Sequence, residues 1–374
     1  ETKRTFQQLI RFHRLKLYRL PLVKSYRARI IHGLPVRSKR AILTRPYLAN
    51  WPSVTILIPT FNAMGWFRSS YAEFLEQDYA GAYDILVIDS GSTDGTVAFL
   101  KDQDSTTVHS IASEDFGHGN TRNLGAQLAK GDLVLMTVQD ARPPSEHWIT
   151  CMVNALEANK LDGVCGKQAV PSDEENNPLQ WYRPINEPSE DDVFDKASIE
   201  NTSPQEKLHA CSWDNVNALY RKSSLLAQPF RDIRFGEDMF WALDVLQANG
   251  KIGYTHRSKV WHYHHQNPGF TRKRVFYMHY WRYMAFECLP KPRSQWGFTD
   301  SLRGLKTMVW HARIFNPFVL IQWMKYNQQI AKESTEITEE FLKAVQSGDA
   351  ALNTLYSSFG TQSPMATAKT IASE

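Results

Sequence analysis

Two polar clusters directly follow apolar, strand-like segments near the start of the chain. Residues 59–62 (Pro-Thr-Phe-Asn) follow the segment 54–58, and residues 89–96 (Asp-Ser-Gly-Ser-Thr-Asp-Gly-Thr) follow the segment 84–88. The glycines and small hydroxyl side chains of the second cluster permit a tight turn close to a ligand. The Asp89 carboxylate can accept hydrogen bonds from a nucleobase or from ribose hydroxyls. The alternative interpretation is a turn that only caps the next helix.

Two further clusters have the chemistry of a phosphate site and a metal site. Residues 116–123 (Phe-Gly-His-Gly-Asn-Thr-Arg-Asn) open a helical segment. Backbone N–H groups at a helix start, with Arg122 nearby, favour phosphate. Residues 139–141 (Gln-Asp-Ala) follow an apolar strand, and the Asp140 carboxylate suits Mg²⁺ or Mn²⁺ between two phosphates. A helix cap with a surface arginine, and an isolated strand-end carboxylate, remain the alternatives.

Paired acids and a histidine cluster complete the reactive groups. Residues 235–238 (Phe-Gly-Glu-Asp) place two acids at a helix start, where they are either caps or include a general base. Residues 262–265 (His-Tyr-His-His) follow the strand-like segment 259–261. Because alternate residues of a strand share a face, His262 and His264 point the same way and one of them could bind the metal. A surface histidine is the alternative.

The elements that must position these clusters alternate between strand and helix. This alternation predicts a parallel sheet covered by helices, with ligands bound beyond the carboxyl ends of the strands, where the clusters fall. The predicted strands are 54–58, 84–88, 106–111 and 133–137, and the predicted helices are 66–76, 93–101 and 120–130. Residues 171–206 are polar and are predicted to form a long surface loop that could act as a lid.

In type and order, these motifs resemble the family 2 glycosyltransferases of the GT-A fold over residues 53–285. Within that family the chain is similar to bacterial dTDP-rhamnosyltransferases of polysaccharide or O-antigen synthesis. Those carry a similar Phe-x-His-Gly-x-Thr-Arg-Asn stretch, Gln-Asp-Ala, an Asp-Asn-Val-Asn stretch (here 214–217), Gly-Glu-Asp and a late His-x-His. The chain departs from the family at Gln139 and Ala141, which leave Asp140 as the one acid of its motif, and from the subgroup at Asn120, where glycine is common.

The resemblance implies a fold and a role for each matching residue. The fold is α/β, with a mostly parallel nucleotide-binding sheet flanked by helices and with helical extensions at both ends. The implied base is Asp238, with Glu237 beside it, and the implied metal is Mg²⁺ or Mn²⁺ on Asp140 with His262 or His264. The implied donor site comprises Thr60, Asn62, Asp89, Ser90, Gly91, His118, Arg122 and Asp140. The implied acceptor contacts are Trp213, Asn215 and Asn217.

The implied activity is inverting, metal-dependent hexosyl transfer from a nucleotide sugar to a glycan or lipid-linked glycan acceptor. The resemblance favours L-rhamnose from dTDP-L-rhamnose, and the same fold with a UDP- or GDP-sugar is the alternative. A nucleotidyltransferase would show a glycine-rich signature with Lys or Arg after the first strand, which this sequence lacks. The intact Asp89, Asp140 and Asp238 argue against a non-catalytic membrane scaffold.

Charge and composition divide the chain into four predicted parts. Residues 1–50 hold thirteen Lys and Arg against one acid and have apolar residues at helical spacing, which predicts a basic helical arm. The arm either binds an anionic membrane surface or packs on the body, and no motif indicates nucleic acid. Residues 51–270 form the predicted catalytic domain, 271–346 a helical region and 347–374 a disordered tail.

The predicted location is the cytoplasm, peripheral on the inner face of the cell membrane. The four cysteines lie far apart and form no CxxC pair, so they are interpreted as reduced thiols. Apolar runs are too short for a spanning helix, which needs about 20 residues.

Overall fold

A computed structural model describes residues 48, 50–170, 177–181, 191–262, 267–292 and 295–359. The predicted basic arm therefore lies almost entirely outside the described residues, as do His264 and parts of the predicted lid. The predicted α/β architecture is confirmed, because an eight-stranded sheet flanked by helices forms the centre of the described chain. All four cysteines are unpaired thiols.

The sheet has the strand order β3-β2-β1-β4-β7-β5-β8-β6. Parallel pairs join β1 to β2 and β4, β2 to β3, and β5 to β8. Antiparallel pairs join β7 to β4 and β5, and β6 to β8. The strands are β1 Val54–Thr60, β2 Tyr83–Asp89, β3 Thr106–Ser110, β4 Leu133–Met136, β5 Gly163–Ala169, β6 Asp192–Phe194, β7 Ala218–Arg221 and β8 Ile252–Trp261.

Helices cover both faces of the sheet, as the buried side chains of the strands require. Along β1, Ile56 and Ile58 belong to one apolar cluster and Leu57 to the other, because successive strand residues point to opposite faces. The helices are α1 Met64–Leu75, α2 Thr96–Lys101, α3 His118–Leu128, α4 Trp148–Asn159, α5 Pro178–Trp181, α6 Pro204–Ala210, α7 Lys222–Ala227, α8 Glu237–Gln247, α9 Pro268–Phe286, α10 Phe298–Lys306, α11 Pro317–Ser347 and α12 Asp349–Ser357, with single turns at Ser113–Asp115, Lys196–Ser198 and Thr307–His311.

The antiparallel strand β7 has a direct consequence for the site. Its first residue, Ala218, lies opposite Met136 of β4 and Cys165 of β5. Because β7 runs against its neighbours, the segment 214–217 before it lies at the edge where β4 and β5 end. The same edge therefore collects polar groups from strand ends and from a strand start.

The C-terminal helices pack on one another through polar and aromatic contacts. Arg272 of α9 donates to Glu340 of α11 at 2.5 Å, and the buried His279 ring lies 3.0 Å from the Thr338 hydroxyl. Among the described helices, none has an apolar stretch that is long enough to cross a bilayer.

The prediction of a disordered tail from residue 347 was wrong for helix α12. Leu352 and Tyr356 are one helical turn apart, so both face the body and both are buried. The Tyr356 ring packs 4.6 Å from Tyr280 and 5.8 Å from Phe276. Few apolar residues suffice here because their spacing puts them on one side. Residues 360–374 lie outside the described residues.

We expect Tyr356→Ala to lower the free energy of unfolding by about 3–5 kcal/mol, because it leaves a cavity among buried rings. The exposed neighbour Ser357→Ala is the matched control and should change stability by no more than about 0.5 kcal/mol. Urea denaturation measures both. Equal, small effects would show that α12 is not packed on the body.

Candidate active site

The turn after β2 holds Asp89 with one carboxylate oxygen engaged. Asp89 is only 1% exposed, and its Oδ2 accepts the backbone N–H groups of Gly91 at 3.1 Å and Ser92 at 3.0 Å. Its Oδ1 is buried and has no hydrogen-bond partner among the described residues. Because a buried carboxylate oxygen without a donor is costly, a ligand N–H or hydroxyl would stabilise it. Asp89 therefore suits its predicted role as a nucleobase or ribose contact.

Glycine is required next to this carboxylate. Gly91 has φ of 90°, and a Cβ there would lie 2.7 Å from the Ser113 hydroxyl oxygen. That hydroxyl donates to the Ser90 carbonyl at 2.8 Å, so the turn is held from the far side as well.

The loop after β1 is tied to the same turn. Asn62 Oδ1 accepts the Thr93 N–H at 2.9 Å, and the Asn62 N–H donates to the Ser92 hydroxyl at 2.8 Å. The Thr60 carbonyl accepts both the Ser90 N–H at 2.9 Å and the Ser90 hydroxyl at 3.1 Å. The structure thus brings together Thr60, Asn62 and Ser90 with Asp89, and their observed bonds shape the turn.

Gln139 explains why the chain lacks an acid at that position of the motif. Its Oε1 accepts the Phe61 N–H at 2.8 Å, and its Nε2 donates to the Phe61 carbonyl at 3.1 Å. An amide can make both bonds, whereas a carboxylate has no N–H to donate. Gln139 therefore joins the ends of β1 and β4, and Asp140 follows directly.

Asp140 and His262 lie close together because the segment after β4 pairs with the end of β8. Arg142 and Trp261 exchange backbone hydrogen bonds of 2.9 and 2.8 Å. His262 Nε2 then lies 3.7 Å from Asp140 Oδ1, with both side chains largely buried.

The histidine is oriented by a neighbour that the sequence analysis missed. His262 Nδ1 lies 2.8 Å from the Gln168 Oε1 of β5. Because an amide oxygen only accepts, Nδ1 donates and Nε2 is the nitrogen that faces Asp140. This is the usual way in which a metal-binding histidine is held.

The residues present fit a divalent cation as two protein ligands. Mg²⁺ is usually held by one or two carboxylates together with substrate phosphates, and imidazole is a further ligand for Mn²⁺ and related metals. Over the described part of the chain, no cluster of three His, Cys, Asp or Glu is suited to a metal. His264 lies outside it, so the choice between the two histidines stays open.

The adjacent acids Glu237 and Asp238 differ in their surroundings. They begin α8 directly after Gly236, whose φ of 84° turns the chain into the helix. Glu237 is buried and pairs with Arg122 at 2.9 Å. Arg122 also donates to the His118 carbonyl at 2.9 Å, so α3 and α8 are joined at their first turns.

This ion pair bears on the role that was predicted for Arg122. The guanidinium is buried against Glu237, so its observed partner is a carboxylate of the chain rather than a position open to a diphosphate. Its Nε has no partner among the described residues. The imidazole of His118 lies on the surface, 5.1 Å from the Phe116 ring. The diphosphate contacts of Arg122 and His118 stay predictions.

Among the described residues, no Lys or Arg forms an ion pair with the half-buried Asp238, whose carboxylate accepts the Met239 N–H at 2.7 Å. Burial raises the pKa of Asp238 well above its ordinary range, and repulsion from Glu237 and Asp214 raises it further. Burial also raises the pKa of Asp214, against a hydrogen bond from Gln168 that lowers it. A line of contacts therefore runs from Asp140 through His262 and Gln168 to Asp214, beside Asp238.

The three predicted acceptor residues are buried and bonded to neighbouring side chains of this edge. Trp213 donates to the Tyr220 hydroxyl at 2.6 Å, and the fully buried Asn217 accepts from Trp148 at 2.8 Å. Their contacts to an acceptor stay predictions. Asn215 donates to Glu237 at 3.3 Å and accepts from Tyr220 at 2.5 Å, so it orients the ion pair.

Sequence reasoning missed Gln168 as a member of the site and used Asp214 only as part of a motif. In the sequence, Gln168 is only a polar residue near the end of an apolar strand, and Asp214 is only an acid in an Asp-Asn-Val-Asn stretch. Only the parallel pairing of β5 with β8 brings Gln168 to His262.

The sheet and the turn after β2 are compatible with a nucleotide-binding enzyme, and comparison with known proteins identifies its class. The model for glycosyl transferase family 2 matches residues 55–225. The O-antigen chain rhamnosyltransferase RfbN of Salmonella typhimurium is 32% identical over 228 residues, which cover 60% of this chain and 70% of the relative. The chain belongs to glycosyl transferase family 2, and the predicted glycosyltransferase class is confirmed.

Two further similarities were found. The O-antigen chain rhamnosyltransferase WbaN of Salmonella anatum is 28% identical over 230 residues, covering 60% of this chain and 70% of the relative. Among solved structures, S. aureus TarS in complex with UDP-GlcNAc aligns with a TM-score of 0.47 and 11% identity, covering 78% of this chain and 92% of that one.

The environment of Asp238 generates a prediction about stability. Because the folded-state pKa is raised, the contribution of Asp238 to stability is fully present below its unfolded pKa and is lost as the pH rises through the folded value. We therefore expect Asp238→Asn to raise the Tm at pH 7.5, and this gain to shrink toward pH 4. Calorimetry across that range measures it.

The matched control lies on the same helix. Asp244→Asn removes the partner of Arg231, which donates to that carboxylate at 2.9 Å, and should lower the Tm. A fall in Tm for Asp238→Asn at pH 7.5 would contradict the unfavourable burial of its charge.

Proposed function

We propose that this glycosyltransferase is an inverting, metal-dependent rhamnosyltransferase. It would transfer L-rhamnose from dTDP-L-rhamnose to a glycan or lipid-linked glycan acceptor in bacterial surface polysaccharide synthesis. The sugar is supported by the relatives RfbN and WbaN, which are both described as O-antigen chain rhamnosyltransferases. The chemistry is supported by one observation above all, the difference between Glu237, which pairs with Arg122, and the adjacent Asp238, whose pKa burial raises.

Asp238 is the proposed general base. A carboxylate whose pKa is raised accepts a proton more readily than an ordinary aspartate does. Asp238 would take the proton of the acceptor hydroxyl as that oxygen attacks the anomeric carbon. The bond to the diphosphate breaks on the opposite face, so a single displacement inverts the anomeric centre. Glu237, held by Arg122, positions the helix start from which Asp238 projects.

Asp89, Asp140 and His262 would bind the donor. The buried Asp89 Oδ1 is an acceptor for an N–H of the base or for a ribose hydroxyl. Asp140 and His262 would hold a divalent cation, which supplies charge neutralisation to the departing diphosphate when bound. Gln168 keeps the His262 ring in the orientation that this role needs.

The proposed place of action is the inner face of the cell membrane. A lipid-linked acceptor would lie on that surface, and the basic arm would be attracted to anionic head groups. The arm lies outside the described residues, so its thirteen bases against one acid are the support for this part of the proposal.

We expect Asp238→Asn to lower kcat for sugar transfer by about 10²–10⁴, because the base is lost, while donor affinity changes little. Transfer is measured as dTDP release that depends on acceptor, and affinity by calorimetric titration. Asp244→Asn, six residues further along the same helix, should keep near-normal turnover. Normal turnover in Asp238→Asn with an inactive Glu237→Gln would assign the base to the other acid.

The donor and the metal can be tested together by thermal shift. A ligand that binds only the folded state raises the Tm. At a ligand concentration of a hundred times Kd, the free energy of unfolding rises by about 2.7 kcal/mol. We expect dTDP-L-rhamnose with Mg²⁺ or Mn²⁺ to raise the Tm, and the rise to shrink in EDTA or in Asp140→Ala.

UDP- and GDP-sugars are the controls for the donor. A larger shift with either one would replace the rhamnosyl donor while keeping the enzyme class. Full transfer activity in excess EDTA would remove the metal from the mechanism.

A further inference from the structure

The largest exposed apolar side chains of the described protein are concentrated in residues 298–321, away from the residues of the site. Phe298 is 77% exposed, Trp310 74%, Phe315 72% and Phe318 82%. Among the other described residues, the most exposed large hydrophobic side chain is Phe270, at 54%. Single exposed apolar residues need no explanation, but a concentration of this kind marks an interaction surface.

Helical spacing puts these side chains on outward faces. On α10, Phe298, Leu302 and Leu305 are spaced by four and three residues, and all three are exposed. On α11, Phe318 and Ile321 are three residues apart and likewise exposed. Trp310 and Phe315 lie in the connection between these helices. We call Phe298, Leu302, Trp310, Phe315, Phe318 and Ile321 the hairpin face.

The opposite side of this helical hairpin is anchored, so the exposure does not come from a loose segment. Gly304 of α10 is buried, and a Cβ there would lie 3.3 Å from the Met324 sulfur of α11 and 3.5 Å from Leu179. Met308 is fully buried, and its carbonyl accepts the Ile314 N–H at 3.0 Å. Residues of the same segment are therefore packed while its large apolar side chains stay exposed.

The charges around the hairpin face are almost all positive. Residues 298–325 contain four Lys or Arg and one acid, Asp300. Phe, Trp and Leu on one side with Lys and Arg around them are the composition of a segment that lies in a membrane interface. Tryptophan is enriched at the same depth. We propose that the hairpin face inserts into the head-group region of an anionic bilayer.

Charge also argues against the two other occupants of such a face. A second copy packed through the same face would bring the Lys and Arg residues of both copies together. The arm, residues 1–50, holds thirteen bases against one acid and would meet like charge as well. An anionic lipid surface complements both the apolar side chains of the hairpin face and the Lys and Arg residues of the same segment. The inference does not depend on the proposed donor or reaction.

Vesicle flotation of the full chain tests the proposal. Phosphatidylcholine vesicles with and without phosphatidylglycerol are used, each at low salt and at about 1 M salt. At about 1 M salt the Debye length is only about 3 Å, so the attraction of the basic arm to anionic lipids is screened. The triple variant Phe298→Ser, Phe315→Ser and Phe318→Ser should bind at least about tenfold more weakly at both salt concentrations, because apolar insertion is lost.

The matched control changes three exposed apolar residues elsewhere, Leu128→Ser, Val193→Ser and Leu226→Ser. It should float like the unchanged protein, and both variants should keep its Tm and its donor-induced thermal shift. Loss of that shift in the unchanged protein would count against the proposed donor and leave the membrane result unaffected.

Fluorescence quenching tests insertion at one residue, Trp310, in a protein whose other apolar residues are unchanged. Brominated lipids should quench the fluorescence of the unchanged protein more than that of Trp310→Phe, because Trp310 inserts. Equal flotation of the two triple variants, or equal quenching with and without Trp310, would overturn the proposal. A dimer that dissociates in the Phe triple variant, without any change in flotation, would assign the face to a second copy instead.

Discussion

The site depends on the placement of three acids, the buried Glu237 and the half-buried Asp214 and Asp238, beside the Arg122 guanidinium. Asp214, Glu237 and Asp238 lie together, and Arg122 bonds to Glu237 at 2.9 Å. Breaking a buried pair of this kind is strongly destabilising, so the pairing restricts where α3 and α8 can begin. Because burial and repulsion from Glu237 both raise the pKa of Asp238, while Arg122 pairs with Glu237, the charge of Asp238 is unfavourable. The burial that raises the pKa of the proposed base, Asp238, also lowers the stability of the fold when this carboxylate is charged.

The sheet assembles this arrangement through an antiparallel strand, β7, that lies between β4 and β5. Parallel strands deliver Asp89, Asp140 and His262 at their carboxyl ends. The antiparallel β7 brings the residues before it, including Asp214 and Asn215, to the same edge. The neutral amides of Gln168 and Asn215 bond to His262 and Glu237, respectively. They orient these side chains without adding charge to the site.

Much of this could be predicted from the sequence, because it depends on local order. The strand-helix alternation predicted the first four strands and the α/β sheet, and the ordered motifs predicted the family. The pairing of Arg122 with Glu237 could not be predicted, because the two residues are 115 positions apart. Burial could not be predicted either, and Trp213 and Asn217 are buried in the structure. Helix α12 was missed because composition was weighed above the spacing of Leu352 and Tyr356.

The dependence of kcat/KM for sugar transfer on pH tests the central claim most directly, since its acid limb reports the pKa of the essential base in the free enzyme. An ordinary aspartate titrates near about 3.9. If the desolvated Asp238 is that base, the acid limb lies well above this value, and Asp214→Asn moves it to lower pH by removing a neighbouring negative charge. An acid limb at the ordinary aspartate value, unmoved in Asp214→Asn, would contradict the account.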